Sequence, residues 1–139
     1  MLDADKAALR RCIRAAFPGE EIRRRESEAL CRHIMQWEPY LAAKVIGAYI
    51  PLSMEADVMP VILDVIRRGK KLVLPRVESR ECMTMRRVRS MEDMTIGRWG
   101  IQEPAQEAEI VSPAEMDLLI VPLEGIDRRG VRLGKGGGY

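Results

Sequence analysis

The chain has 139 residues, 47% of them hydrophobic and 32% charged, with a formal net charge of +2. That length suits one domain able to bury about two thirds of the surface its unfolded chain exposes, and the composition excludes a disordered or membrane-embedded protein. The nearly balanced charge gives no reason to expect nucleic acid as a partner, and the longest apolar runs, residues 45–52 and 118–123, fall far short of the roughly 20 residues that span a bilayer.

Over residues 3–17, Leu9, Cys12, Ile13 and Ala16 recur at helical spacing and Pro18-Gly19 stops the pattern, which predicts a first helix. A second is expected over 20–37, with Ile22, Ala29, Leu30, Ile34 and Trp37 on its inner side and Pro39 beyond its end. Residues 45–50 are a continuous apolar run with β-branched members, as in a strand buried on both faces. Residues 57–68 read as a helix with Val58, Ile62, Val65 and Ile66 inward and Gly69 as its stop, and 71–75 as a second strand. Strand, helix and strand within about 30 residues make a parallel crossover. A strand is expected over 83–88, a short helical turn over 91–95, an ordered surface loop carrying Trp99 over 97–113, and a third strong strand over 117–122. The expected fold is α/β, a mainly parallel sheet flanked by helices, in a single domain over residues 1–139.

The segment before residue 15 is charged throughout and lacks the apolar core of a secretory signal, which points to the cytoplasm. Cys12, Cys31 and Cys82 are too widely spaced for a disulfide framework or a zinc site. The densest signal lies at the end: Gly130, Gly134, Gly136, Gly137 and Gly138 surround Arg132 and Lys135. Such a loop lets backbone N–H groups approach a phosphate while two cations offset its charge. Gly125 and Gly130 have the spacing of a P-loop, but Val131 stands where its lysine is required, and a dinucleotide fingerprint starting at Gly134 would need glycine where Tyr139 stands. A loop of this kind normally introduces a helix, so the domain is expected to be incomplete at its C-terminus.

The strand over 117–122, followed by Asp127, Gly130, Arg132-Leu133-Gly134, Gly136-Gly137-Gly138 and Tyr139, resembles the signature of the 5-formyltetrahydrofolate cyclo-ligase family, also called methenyltetrahydrofolate synthetases. Lys6 to Arg10 near the start, Tyr49-Ile50-Pro51 with Glu55 and Asp57, and Trp99-Gly100-Ile101 with Glu103-Pro104 agree with the same family in order. Glu124 departs from it, standing where many members carry a small or apolar residue. The resemblance implies ATP-dependent cyclisation of 5-formyltetrahydrofolate to 5,10-methenyltetrahydrofolate, with ATP and Mg²⁺ as cofactors and the folate as small-molecule partner. It also implies that the family's magnesium aspartate and final strands lie beyond Tyr139, so that the 139-residue chain alone is expected to have little or no activity.

By spacing alone, Lys6, Arg10 and Arg14 form one basic stripe on a solvated helix face; the resemblance sets Lys6 and Arg10 against ATP phosphates. It assigns Arg132, Leu133, Gly134, Lys135, Gly136, Gly137, Gly138 and Tyr139 to the same nucleotide site, with Arg132 and Lys135 as its catalytic cations. Glu55 and Asp57 flank a helix start, where carboxylates cap free N–H groups. Asp57 reads as such a cap, whereas Glu55 matches a folate-facing position where it would accept bonds from pterin N–H donors. Ile50 and Trp99 taken singly read as core or as stacking surface; the resemblance turns both toward folate. No metal ligand is assigned. Two other classes remain open: a non-catalytic homologue that binds nucleotide or folate without turnover, and another phosphate-handling α/β enzyme such as a small-molecule kinase.

Overall fold

The computed structural model describes residues 3–135, so Gly136, Gly137, Gly138 and Tyr139 of the expected nucleotide site lie outside the described residues. Four helices, α1 (Asp3–Ala15), α2 (Glu20–Gln36), α3 (Glu38–Ala42) and α4 (Met59–Arg67), accompany eight short strands. The central sheet runs in the order β3 (Met83–Val88), β2 (Lys71–Val77), β1 (Val45–Gly47), β6 (Leu118–Leu119). β1 is parallel to both β2 and β6, while β2 and β3 form an antiparallel pair. The expected α/β class with a largely parallel sheet is what the chain adopts.

The crossover β1–α4–β2 supplies the core. Pro60 sits at the start of α4, where its missing N–H costs nothing, and Gly69 ends it at φ 72 with Gly69 and Lys70 N–H groups returning to the carbonyls of Ile66 and Val65. Val61, Ile62 and Val65 then face inward against Ile46, Leu72 and Leu74, all essentially without solvent exposure. Asp57 caps as expected, its Oδ1 accepting from Met59 N–H at 3.0 Å. Asp117 joins β6 to β1 from outside the strands, one carboxylate oxygen accepting from Lys44 N–H at 2.9 Å and Val45 N–H at 3.0 Å, and those bonds hold its carboxyl below the usual carboxylate range.

The first helix forms as expected, and none of its residues is buried. Three expectations need correction. In α2, Ile22, Leu30 and the following Trp37 are exposed, and Cys31 is the buried residue. Polar contacts turn the helix: Ser27 Oγ accepts from Asp57 N–H at 3.0 Å and the Cys31 thiol donates to the Asp57 carbonyl at 3.2 Å. Residues 97–113 are not all loop, since β5 (Gln102–Pro104) pairs antiparallel with β4 (Met94–Ile96). The third strong strand is only two residues long, and Leu119 and Val121 are exposed, because among the described residues β6 is an edge strand.

Candidate functional site

The parallel strands β1 and β6 end on the same side of the sheet, the place where open α/β sheets bind ligands. After β1 the chain stays extended and buried through Ala48 and Tyr49, then turns at Leu52. Glu55 closes that turn twice: its N–H donates to the Leu52 carbonyl at 3.0 Å, and its Oε1 accepts from Leu52 N–H at 2.8 Å. The carboxylate is thereby fixed, with its side chain only 8% exposed and Oε2 left 3.8 Å from the Lys135 ammonium. Tyr49 donates to the Ala56 carbonyl at 2.8 Å. Burial, with the nearby charge of Glu55, pushes its hydroxyl up to about 12, so it stays protonated.

After β6 the chain leads through Pro122 and Leu123 into a hairpin of β7 (Gly125–Ile126) and β8 (Arg132–Leu133). Asp127 builds its turn, one oxygen accepting from Arg129 N–H at 2.8 Å and Val131 N–H at 2.9 Å. The hairpin delivers the basic end of the chain to the site. Arg132 Nη1 donates to the Pro122 carbonyl at 2.6 Å, and Arg10 of α1 donates through Nε to the Gly134 carbonyl at 2.8 Å. One turn further along α1, Arg14 pairs with Glu124 at 2.5 Å.

Two adjoining cavities, of about 510 and about 640 Å³, share Leu52, Glu55, Trp99, Ile101, Leu123 and Lys135 as walls. Arg10, Ile50, Arg132 and Gly134 line the larger one, and Arg14 and Glu124 the smaller. The structure thus brings together Ile50, Glu55, Trp99, Arg10, Arg132, Gly134 and Lys135. Trp99 is 69% exposed at the tip of a turn, which removes the core reading for it, whereas Ile50 both packs on the core and faces the cavity. Lys6 stays outside both cavities, its ammonium 3.7 Å from Asp3, and Leu133 contributes its carbonyl to the Glu124 N–H at 2.8 Å. Tyr49, Arg14 and Glu124 carry no site role in the sequence motifs, and the fold places Tyr49 on the wall of the larger cavity and pairs Arg14 with Glu124. The i, i+4 continuation of the basic stripe was the signal for Arg14; only folding gives it a partner 110 positions away.

Chemically, the site sets a buried carboxylate acceptor and an exposed indole beside three cations on one rim. A flat heterocycle with N–H donors suits the first pair, and an anion suits the second group. Among the described residues no three His, Cys, Asp or Glu side chains converge to hold a metal ion, and no helix is long and apolar enough to cross a membrane.

The family model for 5-formyltetrahydrofolate cyclo-ligases matches residues 3–139. The chain is 29% identical over 141 residues to the mouse protein named 5-formyltetrahydrofolate cyclo-ligase, covering 96% of this chain and 68% of that one. It is likewise 29% identical over 129 residues to the Escherichia coli protein of that name, covering 91% and 70%. The NMR structure of Aquifex aeolicus 5,10-methenyltetrahydrofolate synthetase superposes with a TM-score of 0.85 at 34% identity, over 96% of this chain and 69% of that one. The Mycoplasma pneumoniae 5,10-methenyltetrahydrofolate synthetase, at a TM-score of 0.71 and 22% identity over 97% and 74%, shares the fold. The chain spans 53–70% of the length of the curated relatives it matches.

Proposed function

We propose that this chain, which belongs to the 5-formyltetrahydrofolate cyclo-ligase family, forms the folate-facing and phosphate-facing walls of a site that converts 5-formyltetrahydrofolate and ATP to 5,10-methenyltetrahydrofolate, ADP and phosphate. One observation carries the reading: the fixed carboxylate of Glu55 and the ring of Trp99 share a cavity wall with Lys135, beside Arg10 and Arg132. An amide-like formyl carbon is a poor electrophile, and ATP supplies the phosphoryl group that makes its oxygen a leaving group. The formyl oxygen takes the γ-phosphoryl group as ADP leaves, N10 closes on the carbon and gives up its proton, and phosphate departs.

Phosphoryl transfer is served chiefly by positioning and charge neutralisation, which agrees with a site built of cations and one hydrogen-bond acceptor. Arg10, Arg132 and Lys135 neutralise the phosphates, while Gly134 lets the backbone come close. Lys6 is assigned to the outer edge of the same anion. Glu55 accepts from the pterin N–H groups, with Trp99 and Ile50 against the ring faces. Mg²⁺ would be held by the substrate phosphates with one or two carboxylates, which the family resemblance expects outside the described residues.

The test supplies the full-length gene product with 5-formyltetrahydrofolate, ATP and Mg²⁺ and follows methenyl-folate absorbance together with ADP. Equal amounts of both products, each dependent on the other substrate, are expected. ADP released at the same rate without folate points instead to another phosphate-handling enzyme, and calorimetric binding with no product to a non-catalytic homologue. Within the active system, Glu55→Gln keeps an acceptor for Leu52 N–H but removes the charge. Losing a charged hydrogen bond of about 1.5–3 kcal/mol corresponds to a folate KM raised about 10- to 100-fold, with the KM for ATP little changed.

A further inference from the structure

Trp99 is the one non-glycine residue at positive φ among the described residues, with φ 60 and ψ 20, and Gly100 follows it at φ 71. A bulky aromatic in the left-handed region is costly. Its own burial does not compensate, because it is 69% exposed. Something else must hold the turn. The backbone contributes a Gly97 N–H bond to the Ile101 carbonyl at 2.8 Å, but a short two-stranded hairpin is marginal by itself.

The anchor is a row of charges across β5, β2 and β3, with Glu103 and Arg86 buried and Arg76 and Glu78 half-buried. Arg76 of β2 reaches Glu103 of β5 at 3.0 Å, and the same Nη1 donates to the Pro104 carbonyl at 2.9 Å. Its Nε is buried without a hydrogen-bond partner, 3.8 Å from Glu78, so the attachment falls on Nη1. Glu78 accepts from Arg86 at 2.8 Å and from the Thr84 hydroxyl at 2.6 Å, and Arg86 donates onward to the carbonyls of Gln106 and Ala108. Glu103 is only 7% exposed and lies across Gly97: a Cβ there would stand 2.0 Å from the Glu103 carboxyl carbon. The carboxylate therefore sits directly beneath the turn that carries the indole.

We propose that the Arg76–Glu103 ion pair is the positioning device for Trp99, setting where the ring stands over the cavity and hence how tightly the flat ring of the substrate is held. Arg76 lines neither cavity beside Trp99 and acts through Glu103 and the hairpin. The inference rests on the folate-facing reading of Trp99. Leaving the turn unanchored costs the stacking contact and nothing at the phosphate rim, which is built by α1 and the β7–β8 hairpin.

The protein contains two tryptophans, so a Trp37→Phe background makes Trp99 the only emitter. In that background, Arg76→Lys keeps the charge but loses the fork, and Glu103→Gln removes the carboxylate. Each is expected to lower Trp99 anisotropy and raise its quenching by acrylamide. Each should also weaken folate binding about tenfold, the size of a lost aromatic contact, with the KM for ATP within about twofold. The double variant should be no worse than the weaker single, since both cut one link. Unchanged Trp99 anisotropy and folate affinity alongside a lower melting temperature would overturn the proposal, as would parallel rises in the folate and ATP KM values. Should Glu103→Gln fail to fold, Arg76→Lys carries the same readouts. A Trp37→Phe parent that binds no folate sinks the folate reading instead, and the anisotropy comparison still decides the anchor.

Discussion

Replacing Arg10 and Lys135 together by alanine is expected to lower kcat/KM for ATP by about 100-fold or more. Charged hydrogen bonds contribute about 1.5–3 kcal/mol each, and 1.4 kcal/mol is a factor of ten. The lower end applies because the Lys135 side chain is 42% exposed and solvent screens it. The two losses do not add independently. Arg10 Nε holds the Gly134 carbonyl, the residue before Lys135, so Arg10→Ala also frees the segment that aims the ammonium. Lys135→Ala in turn leaves the buried Glu55 carboxylate without its nearest cation, which should disturb folate binding less than removing Glu55 itself. Lys6→Ala provides the contrast: its ammonium lies by Asp3, outside the cavities, and its effect should be several-fold smaller than that of Arg10→Ala. Initial rates of methenyl-folate formation against ATP concentration measure the double variant and the three single ones. A double variant with unaltered kcat/KM for ATP would falsify the phosphate assignment.

The same residues mark what a linear reading can and cannot reach. The crossover β1–α4–β2 was legible because its signals are local: a β-branched run from Val45, Val58, Ile62, Val65 and Ile66 at helical spacing, and Gly69 at the helix stop. The orientation of α2 was not, since its apolar pattern favours Ile22 and Leu30, yet the bonds of the Asp57 backbone, N–H to Ser27 Oγ and carbonyl from the Cys31 thiol, fix which side is buried. In the basic stripe, spacing of four cannot rank Lys6, Arg10 and Arg14. Their ranking depends on where Gly134 and Glu124 arrive from the other end of the chain. The β4–β5 hairpin was hidden for a similar reason: Glu103 has no partner nearby in sequence and finds Arg76 only across the sheet. Motif order named several residues that the fold brings to one cavity, with Lys6 outside it, and long-range pairing determines how they are held.

Asp64→Ala should lower stability by about 1–3 kcal/mol, the cost of leaving a buried hydroxyl without its acceptor, because the two arginines it also pairs with are 72% and 38% exposed and regain water. Asp64 is 6% exposed on α4, and Oδ2 accepts from the Tyr40 hydroxyl and from Arg68 Nε, each at 2.7 Å, while Arg67 pairs with Oδ1. It thus ties α3 to the helix that covers the sheet, and Tyr40, with no solvent exposure, loses its acceptor when Asp64 is removed. Tyr40→Phe should cost less, because both arginines still satisfy the carboxylate. Burial by itself would raise the Asp64 carboxyl, but the bonds from Tyr40, Arg67 and Arg68 outweigh it and hold it below the usual range. A folded-state value below the unfolded one means that the unfolded chain takes up the proton first on acidification. The contribution of Asp64 is therefore complete above the ordinary aspartate range, near pH 4, and is lost as pH falls through it. At the alkaline end the sign reverses. Burial raises Tyr40 and Tyr49 above an ordinary tyrosine, Tyr49 to about 12, so their contribution is complete below about pH 10 and is lost as pH rises from there. Urea unfolding of the parent and Asp64→Ala at pH 7 and pH 3 measures the effect. The gap between them should be widest at pH 7 and shrink at pH 3; a gap that stays constant would show that the carboxylate's charge contributes nothing to the α3–α4 junction.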